Sequence, residues 1–384
     1  MFELSKLKIP DLYGNADKRL WQAVLDVATP DEPLDIENAA ILIKAGSEIP
    51  EAHQKIIEKA DSVKRQIFSS AVKLFVPVYI SNSCVNDCAY CAYGVGNDRM
   101  PRRTLTLDEL RREVEIVAGM GYRVIELVTG ESPDLKIKGS LVEYVRVVKD
   151  VLNSLSKTSG EGETILMSWA LSDEEFMALS DSPPDCFYIW QETYDEELFG
   201  KYHPAGYPKA DFSGRIGVFD RAIKAGIKRV GLGVLFGLAP WEFDVLSLIA
   251  HGKYLRREYG ITIDAVGIPR FKPAEGARIT EAPYPVSDNE IKLAAAIYRL
   301  AFPNSHVFLN TREKLNLIFE LLNSGGSEMN IACAIYPGGY GSPRRERQFS
   351  YYSYPTEKTV DELKDRGYIV THYSGKPEVN SLTD

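Results

Sequence analysis

The stretch Lys73-Leu74-Phe75-Val76-Pro77-Val78-Tyr79-Ile80 runs directly into Ser81-Asn82-Ser83-Cys84-Val85-Asn86-Asp87-Cys88-Ala89-Tyr90-Cys91. Its first half is an apolar run with one charge and reads as a buried strand. Its second half holds three of the chain's five cysteines within eight residues. Thr106-Leu107-Asp108-Glu109-Leu110 then opens an amphipathic helix. Three thiolates at a strand-to-helix junction can hold a soft metal centre. They are one ligand short of a closed four-cysteine site, so a 4Fe–4S cluster held there leaves one iron open to a small molecule. The competing readings are weaker. A structural zinc site wants a fourth Cys or His nearby, and the nearest His is His53, on the far side of a strand. A disulfide fits poorly with an odd cysteine count and no secretory segment. Inert core cysteines are rarely packed this closely.

Outward from this stretch, strands and helices alternate. Apolar runs predict strands at 73–80, 122–128, 164–170, 185–190, 228–234, 262–268, 305–310 and 328–334. Helical patterns fill 106–119, 139–155, 172–180, 214–225, 240–258, 287–302 and 312–323, with Gly121, Gly226 and Gly260 where helices should end. The expected fold is therefore α/β, a (β/α)8 TIM-type barrel over residues 71–335. A doubly wound open sheet is the alternative. Residues 1–70 carry helix-spaced apolar positions and read as a helical N-terminal extension, with Asp35 as a helix cap. Residues 336–384 read as a closing C-terminal tail: a loop, a helix near 357–366 and a short strand near 368–372.

In such a barrel the C-terminal ends of the strands face the active site. The strand assignments then place Tyr79, the cysteines, Thr129-Gly130-Glu131, Ser168, Trp169, Gln191-Glu192-Thr193-Tyr194, Arg270, Asn310-Thr311-Arg312 and Asn330 to Ala334 around one opening. Cys186 and Cys333 lie within or near the end of strands and read as small core residues.

At 384 residues, 45% hydrophobic and 26% charged, the composition is that of a soluble globular protein. No apolar run reaches the length of a membrane span, and the N-terminus has no signal-peptide core. A formal net charge of −9 argues against a nucleic-acid backbone as partner. Cysteines kept reduced for a metal point to the cytoplasm. The five His residues show no metal-binding spacing.

The spacing C-x3-C-x2-C, with Tyr90 before the last cysteine, resembles the radical S-adenosylmethionine (SAM) enzymes. That resemblance implies a 4Fe–4S cluster on Cys84, Cys88 and Cys91. Its open iron takes SAM, which is cleaved to methionine and a 5′-deoxyadenosyl radical. Further stretches are similar to one branch of that superfamily: Pro77-Val78-Tyr79-Ile80-Ser81-Asn82, Val128-Thr129-Gly130-Glu131, Gln191-Glu192-Thr193-Tyr194, Pro208-Lys209-Ala210-Asp211-Phe212, Gly231-Leu232-Gly233-Val234-Leu235-Phe236-Gly237-Leu238, Thr311-Arg312-Glu313 and Pro337-Gly338-Gly339-Tyr340. The branch contains the tyrosine lyases of thiamin-thiazole synthesis and of FeFe-hydrogenase maturation, and the tryptophan lyase that makes 3-methyl-2-indolic acid.

The resemblance implies a carbon–carbon lyase acting on a free aromatic L-amino acid. Tyrosine would give 2-iminoacetate and p-cresol, and tryptophan would give 3-methyl-2-indolic acid. It further implies a flavodoxin- or ferredoxin-type reductant. Tyr90, Gly130, Glu131, Ser168, Glu192 and Arg215 are the expected cofactor residues. Tyr79, Arg270, Arg312 and Asn330 are expected at the substrate. A guanidinium fork matches a carboxylate bidentately, so Arg312 is expected to clamp the substrate. Tyr79 is expected to move a proton. Trp169, Tyr194 and Phe236 are candidate aromatic walls.

Two departures from the branch stand out. Nothing after Cys333 is a cysteine, so a second cluster, and cyanide and carbon monoxide ligands made on one, are not expected. Asn330-Ile331-Ala332-Cys333-Ala334-Ile335-Tyr336 replaces a Ser-Ala-containing stretch of the tyrosine lyases, which leaves the choice between tyrosine, tryptophan and another amino acid open. A synthase of the biotin or methylornithine type, or an iron–sulfur electron-transfer protein, are the alternatives in kind.

Overall fold

Ala71–Ser81 (β1) is buried from Val72 onward, and its side chains alternate strictly. Val72, Leu74, Val76, Val78 and Ile80 join the core under the surrounding helices, while Phe75 packs with Val124, Ile165, Tyr188 and Phe308 in a separate interior cluster. A strand buried on both faces reads as a continuous apolar run for this reason. The structure, a computed structural model, describes residues 2–136, 140–159, 162–342 and 347–374, with side chains undescribed at 140 and 156–159. Parts of the expected C-terminal tail, 343–346 and 375–384, lie outside the described residues.

Before β1 come four helices, Ile9–Asn15 (α1), Trp21–Val27 (α2), Ile36–Glu48 (α3) and Pro50–Phe68 (α4). Asp35 caps α3 by accepting from the Asn38 amide at 2.7 Å. In α4 the buried Ala52, Ile56, Ala60 and Val63 recur at helical spacing.

After β1 follow Leu107–Gly119 (α5), Val124–Thr129 (β2), Ser140–Ser159 (α6), Glu163–Met167 (β3), Asp173–Leu179 (α7) and Cys186–Glu192 (β4). Next are Glu196–Tyr202 (α8), Phe212–Ile216 (α9), Val218–Lys224 (α10), Val230–Val234 (β5), Trp241–Tyr259 (α11) and Ala265–Gly267 (β6). Asp288–Ala301 (α12), His306–Leu309 (β7), Leu315–Leu322 (α13), Glu328–Asn330 (β8), Thr356–Asp365 (α14) and Ile369–Thr371 (β9) complete the order. Capping boxes start α5 (Thr106/Glu109), α7 (Ser172/Glu175) and α12 (Ser287/Glu290). The helices α3 and α4 lie against α11 and α12 on the outside of the barrel.

The strands pair in parallel in the order β2-β3-β4-β5-β6-β7-β8-β1, and β1 pairs back to β2, so the sheet closes as a (β/α)8 barrel. The ninth strand adds to the outside, pairing Ala71 to Lys73 of β1 with Ile369 to Thr371.

Two expectations are corrected. The eighth strand was read as 328–334 but ends at Asn330. Beyond it the Tyr340 hydroxyl donates to the carbonyls of Pro77 and Ala332 and accepts from the Ala334 amide, taking over bonds a longer strand would have made. The helix read over 214–225 is two helices divided at Gly217.

The barrel interior is layered. At its N-terminal end Lys73 pairs with Glu163 at 2.7 Å and Glu328 at 3.2 Å, and Arg229 pairs with Asp264 at 2.7 Å. The apolar layer of Phe75, Tyr188 and Phe308 lies above. Next comes the indole of Trp190, resting where β5 and β6 have no side chain: a Cβ on Gly267 would lie 2.6 Å from that ring. Above this the barrel is hollow.

Candidate active site

The hollow is a cavity of about 290 Å³ at the C-terminal ends of the strands, lined by Cys84, Cys88 and Cys91 on one side and by Arg312, Gln348 and Phe349 among others. The 82–106 segment that carries the cysteines has almost no regular structure, so side chains hold its shape. Arg102 donates to the carbonyls of Asn82 (2.9 Å), Tyr93 (3.0 Å) and Asn97 (2.9 Å). Asn82 donates to Pro101 O at 2.8 Å and accepts from the Arg103 amide at 2.6 Å. Gly130 lets β2 approach this segment, since a Cβ there would sit 2.6 Å from Ser83 O.

The cysteines fit an iron–sulfur cluster. Burial pushes the Cys88 thiol up to about 12 and raises Cys91 as well, so bound metal is what would hold thiolates here. Donors already point at the sulfurs. The Tyr93 amide lies 3.4 Å from Cys91 Sγ, and Asn86 Nδ2 and Gln348 Nε2 lie 3.7 Å from Cys84 Sγ and Cys91 Sγ. Such bonds tune a cluster. Among the described residues no three His, Cys, Asp or Glu side chains converge on one point as a single ion would need. Cysteines bonded to different irons must instead surround a space.

Next to the cysteines lies a buried polar chain. Lys209 Nζ donates to Glu192 at 2.6 Å and to the Tyr90 hydroxyl at 3.1 Å. Tyr90 in turn bonds His203 Nε2 at 2.9 Å, and His203 Nδ1 lies 2.8 Å from Phe199 O. The Nδ1 partner is a carbonyl, which puts the His proton on Nδ1 and makes Tyr90 the donor to Nε2. Burial, followed by the charge of Lys209, drives His203 down to about 3, so the ring is neutral. Burial works to raise Glu192, but Lys209 and Arg215 overcome it and hold the carboxyl at about 2.

Glu192 ends β4 at φ 74, in the left-handed region, at a break in register with β5. The turn after it is anchored by Asp244 of α11, whose Oδ1 accepts from Thr193 Oγ1 at 2.9 Å and the Tyr194 amide at 2.8 Å.

Most of the expected site residues are brought together. Tyr79, Tyr90, Gly130, Glu131, Ser168, Glu192, Arg215, Arg312 and Asn330 all line the cavity with the three cysteines. Glu131 is 7% exposed and is held by Asn86 Nδ2 at 2.6 Å and Lys136 Nζ at 2.6 Å. Arg215 is buried, bonding Trp190 O and approaching Glu192 at 3.4 Å. Asn330 accepts from the Thr311 amide at 3.0 Å, which shapes the turn that presents Arg312. The Arg312 guanidinium stacks on Phe349 at 3.4 Å and donates weakly to Arg270 O, with no carboxylate partner among the described residues. Burial lowers its pKa. The Tyr79 hydroxyl donates to Gln348 Oε1 at 3.0 Å.

Arg270 does not reach the cavity, which corrects its expected place at the substrate. Glu313 takes its guanidinium in a two-point pair, Asp288 adds a contact at 2.8 Å, and Val286 O accepts at 2.9 Å. Of the expected aromatic walls only Trp169 lines the cavity. Tyr194 turns outward to His251 Nδ1 at 2.8 Å, and Phe236 is enclosed in the core under the helices. Cys186 is a core residue beside Asp264, whereas Cys333 lines the cavity. Sequence reasoning missed Asn86, Lys209, Gln348 and Phe349. The first two sat inside stretches already singled out for other residues.

Residues 78–245 match the radical SAM superfamily model. The chain is 28% identical to 2-iminoacetate synthase of Salmonella typhimurium over 309 residues, covering 80% of this chain and 78% of that one. It is 28% identical to 3-methylornithine synthase of Methanosarcina acetivorans over 293 residues, covering 76% and 77%. The crystal structure of HydG, a maturase of the [FeFe]-hydrogenase, superposes with a TM-score of 0.88 at 28% identity over 95% of this chain and 79% of that one. The chain is a radical SAM enzyme, using a 4Fe–4S cluster and SAM. Within that superfamily its relatives include 2-iminoacetate synthase, and its structural neighbours include HydG. Among the described residues no helix is long and apolar enough to cross a membrane.

Proposed function

We propose that the enzyme cleaves free L-tyrosine at the Cα–Cβ bond, giving 2-iminoacetate and p-cresol. The observation that carries this reading is Arg312: a half-buried guanidinium facing the cavity with no carboxylate of the described chain to neutralise it. Such a group needs an anion, and the α-carboxylate of an amino acid fits its fork. The likeness to 2-iminoacetate synthase supports tyrosine over tryptophan.

Cys84, Cys88 and Cys91 hold the cluster. Glu192, Lys209 and Tyr90, with Glu131 and Arg215, form the polar wall for SAM. Bound together, cluster and SAM supply a 5′-deoxyadenosyl radical as hydrogen acceptor, with a flavodoxin- or ferredoxin-type protein of the cytoplasm as electron donor. The protein's own part is positional. Arg312 fixes the carboxylate and so turns the amine toward the SAM side. Burial keeps the Tyr79 hydroxyl protonated, so it can donate to the substrate amine or accept from it. The barrel walls exclude water.

The test is anaerobic incubation with SAM, dithionite and L-tyrosine, followed by product mass analysis. Release of p-cresol with 2-iminoacetate, or its hydrolysis product glyoxylate, is the expected result. Release of 5′-deoxyadenosine without either product overturns the reading. A product of methylornithine type from an aliphatic amino acid would move the enzyme to the other set of relatives.

A further inference from the structure

Glu126 lies in the middle of β2. It is 3% exposed and lines the same cavity as the cysteines, Tyr79 and Arg312. Its Oε1 is buried with no hydrogen-bond partner among the described residues. In the β1–β2 register Pro77 faces Glu126 and Tyr79 faces Val128. Glu126 therefore stands one inward layer deeper than the Tyr79 hydroxyl, toward the barrel floor. Val128, Met167, Phe308 and Cys333 give the same cavity apolar wall. A polar group buried without a partner costs free energy, and a charge costs far more. The carboxyl accordingly stays neutral: burial, helped by the charge of Glu328, pushes it up to about 8. A neutral carboxylic acid can both donate and accept.

An apolar slot with one polar group at its end is the mould of an amphipathic side chain. Arg312, just past the end of β7, is at the mouth, and Glu126, in mid-β2, lies toward the floor; both line the same cavity, so the two flank one space. We propose that Glu126 is a specificity-determining residue that hydrogen-bonds a hydroxyl at the far end of the substrate side chain, so that the site selects a phenol over the same ring without it. This rests on the aromatic amino-acid reading above. A hydroxyl fits better than the other candidates. A substrate ammonium would require Glu126 to ionise near Glu328. An indole N–H can only donate, and so leaves the acid proton unmatched.

The test uses the holoenzyme with cluster and SAM bound. Dissociation constants for L-tyrosine, L-phenylalanine and L-lysine are measured on the wild type, Glu126→Gln and Glu126→Leu. The wild type should prefer tyrosine to phenylalanine by at least about tenfold, since a buried group built for a hydroxyl is left unpaired by the analogue. Glu126→Gln, which still donates and accepts, should keep most of that preference. Glu126→Leu should bring the ratio close to one while iron content and SAM affinity stay at wild-type values. If the wild type itself binds both aromatics equally, or if Glu126→Leu keeps the preference, the inference fails and the lyase reading stands. The wild-type comparison decides the matter even if Glu126→Leu does not fold. If neither aromatic binds the wild type and L-lysine does, the lyase reading fails and takes this inference with it.

Discussion

Lys209 Nζ lies 2.6 Å from Glu192 Oε1, the carboxylate buried and the ammonium mostly so, beside the cluster cysteines. The pair joins two stretches of chain that meet only in the folded barrel. Removing Lys209 leaves the buried Glu192 carboxylate with only Arg215, at 3.4 Å, to balance it, which is costlier than the pair itself is worth. Lys209→Met should therefore raise the dissociation constant of SAM by at least about tenfold, equivalent to about 1.4 kcal/mol. Iron content should not change, because no cysteine bonds Lys209. Equilibrium SAM binding on the reconstituted variant checks this, and unchanged affinity would remove Lys209 from the SAM wall.

The cluster makes a sharper prediction. Cys84, Cys88 and Cys91 line the cavity together, while Cys186 is sealed in the core. Cys88→Ala should abolish the cluster's visible absorbance, and Cys186→Ala should keep it, with about four irons per chain. A full cluster in Cys88→Ala would sink the assignment.

At the other end of the barrel, Lys73 is 3% exposed between Glu163 and Glu328. Lys73→Met would leave Glu328 without its cation and Glu163 with Arg229 at 3.3 Å, at an expected loss of about 3–5 kcal/mol. The loss should appear as a lower denaturation midpoint. The double variant Lys73→Met, Glu328→Gln should recover part of it, because it removes the most buried of the stranded charges.

Asp244 gives a pH dependence. Burial drives its carboxyl up to about 7, against the lowering effect of the Tyr194 amide and Thr193 hydroxyl. An unfolded Asp titrates near 3.9. The folded value is the higher, so this group's stabilising share is complete below about pH 4 and is lost as pH rises through 7. Asp244→Asn does not titrate, and its Oδ1 can accept the same two bonds. Its melting temperature relative to wild type should therefore rise between pH 5 and pH 9. A constant difference would show that Asp244 is ionised in the fold throughout.

The barrel was legible because strands buried on both faces are continuous apolar runs. Glycines at positive φ, Gly121, Gly226 and Gly260, marked the helix ends. The cysteine loop and the strand-end residues followed from the same rule. What could not be read were partnerships between distant residues. Tyr79 meets Gln348 across 269 residues of chain, in a part of the tail beyond its Pro337-Gly338-Gly339-Tyr340 stretch. Arg270 and Arg312 both follow strands and look alike in sequence. Only the fold shows that Glu313 has turned to Arg270, leaving Arg312 for the cavity. Tyr194 follows Glu192 by two residues, yet the left-handed turn at Glu192 and the Asp244 anchor send it outward. The end of β8 was missed because the hydroxyl that terminates it, on Tyr340, lies ten residues beyond Asn330.

That difference between the two arginines leads to the last prediction. The substrate must be held so that its amine, rather than Cβ, meets the radical carbon, and a displacement of about 1 Å can cost roughly a hundredfold in rate. Arg312 suits this work because its plane is already fixed, stacked 3.4 Å from the centre of the Phe349 ring. Less rotamer freedom then remains to be lost when a carboxylate binds. Lysine at this position keeps the charge but loses both the fork and the stack. Arg312→Lys should keep its cluster and its SAM affinity, since its side chain touches neither a cysteine nor Glu192. It should still cleave SAM under dithionite, but with the substrate loosely held the cleavage should uncouple from lysis. The quantity to measure is the ratio of 5′-deoxyadenosine to p-cresol, expected to rise by about tenfold or more over wild type. Phe349→Leu, which removes the stack and leaves the fork, should give an intermediate ratio. If Arg312→Lys shows the wild-type ratio and binds tyrosine as tightly as before, Arg312 does not clamp the carboxylate. The guanidinium, without a carboxylate among the described residues, would then need another anion, and the proposed lyase reading would lose the observation that carries it.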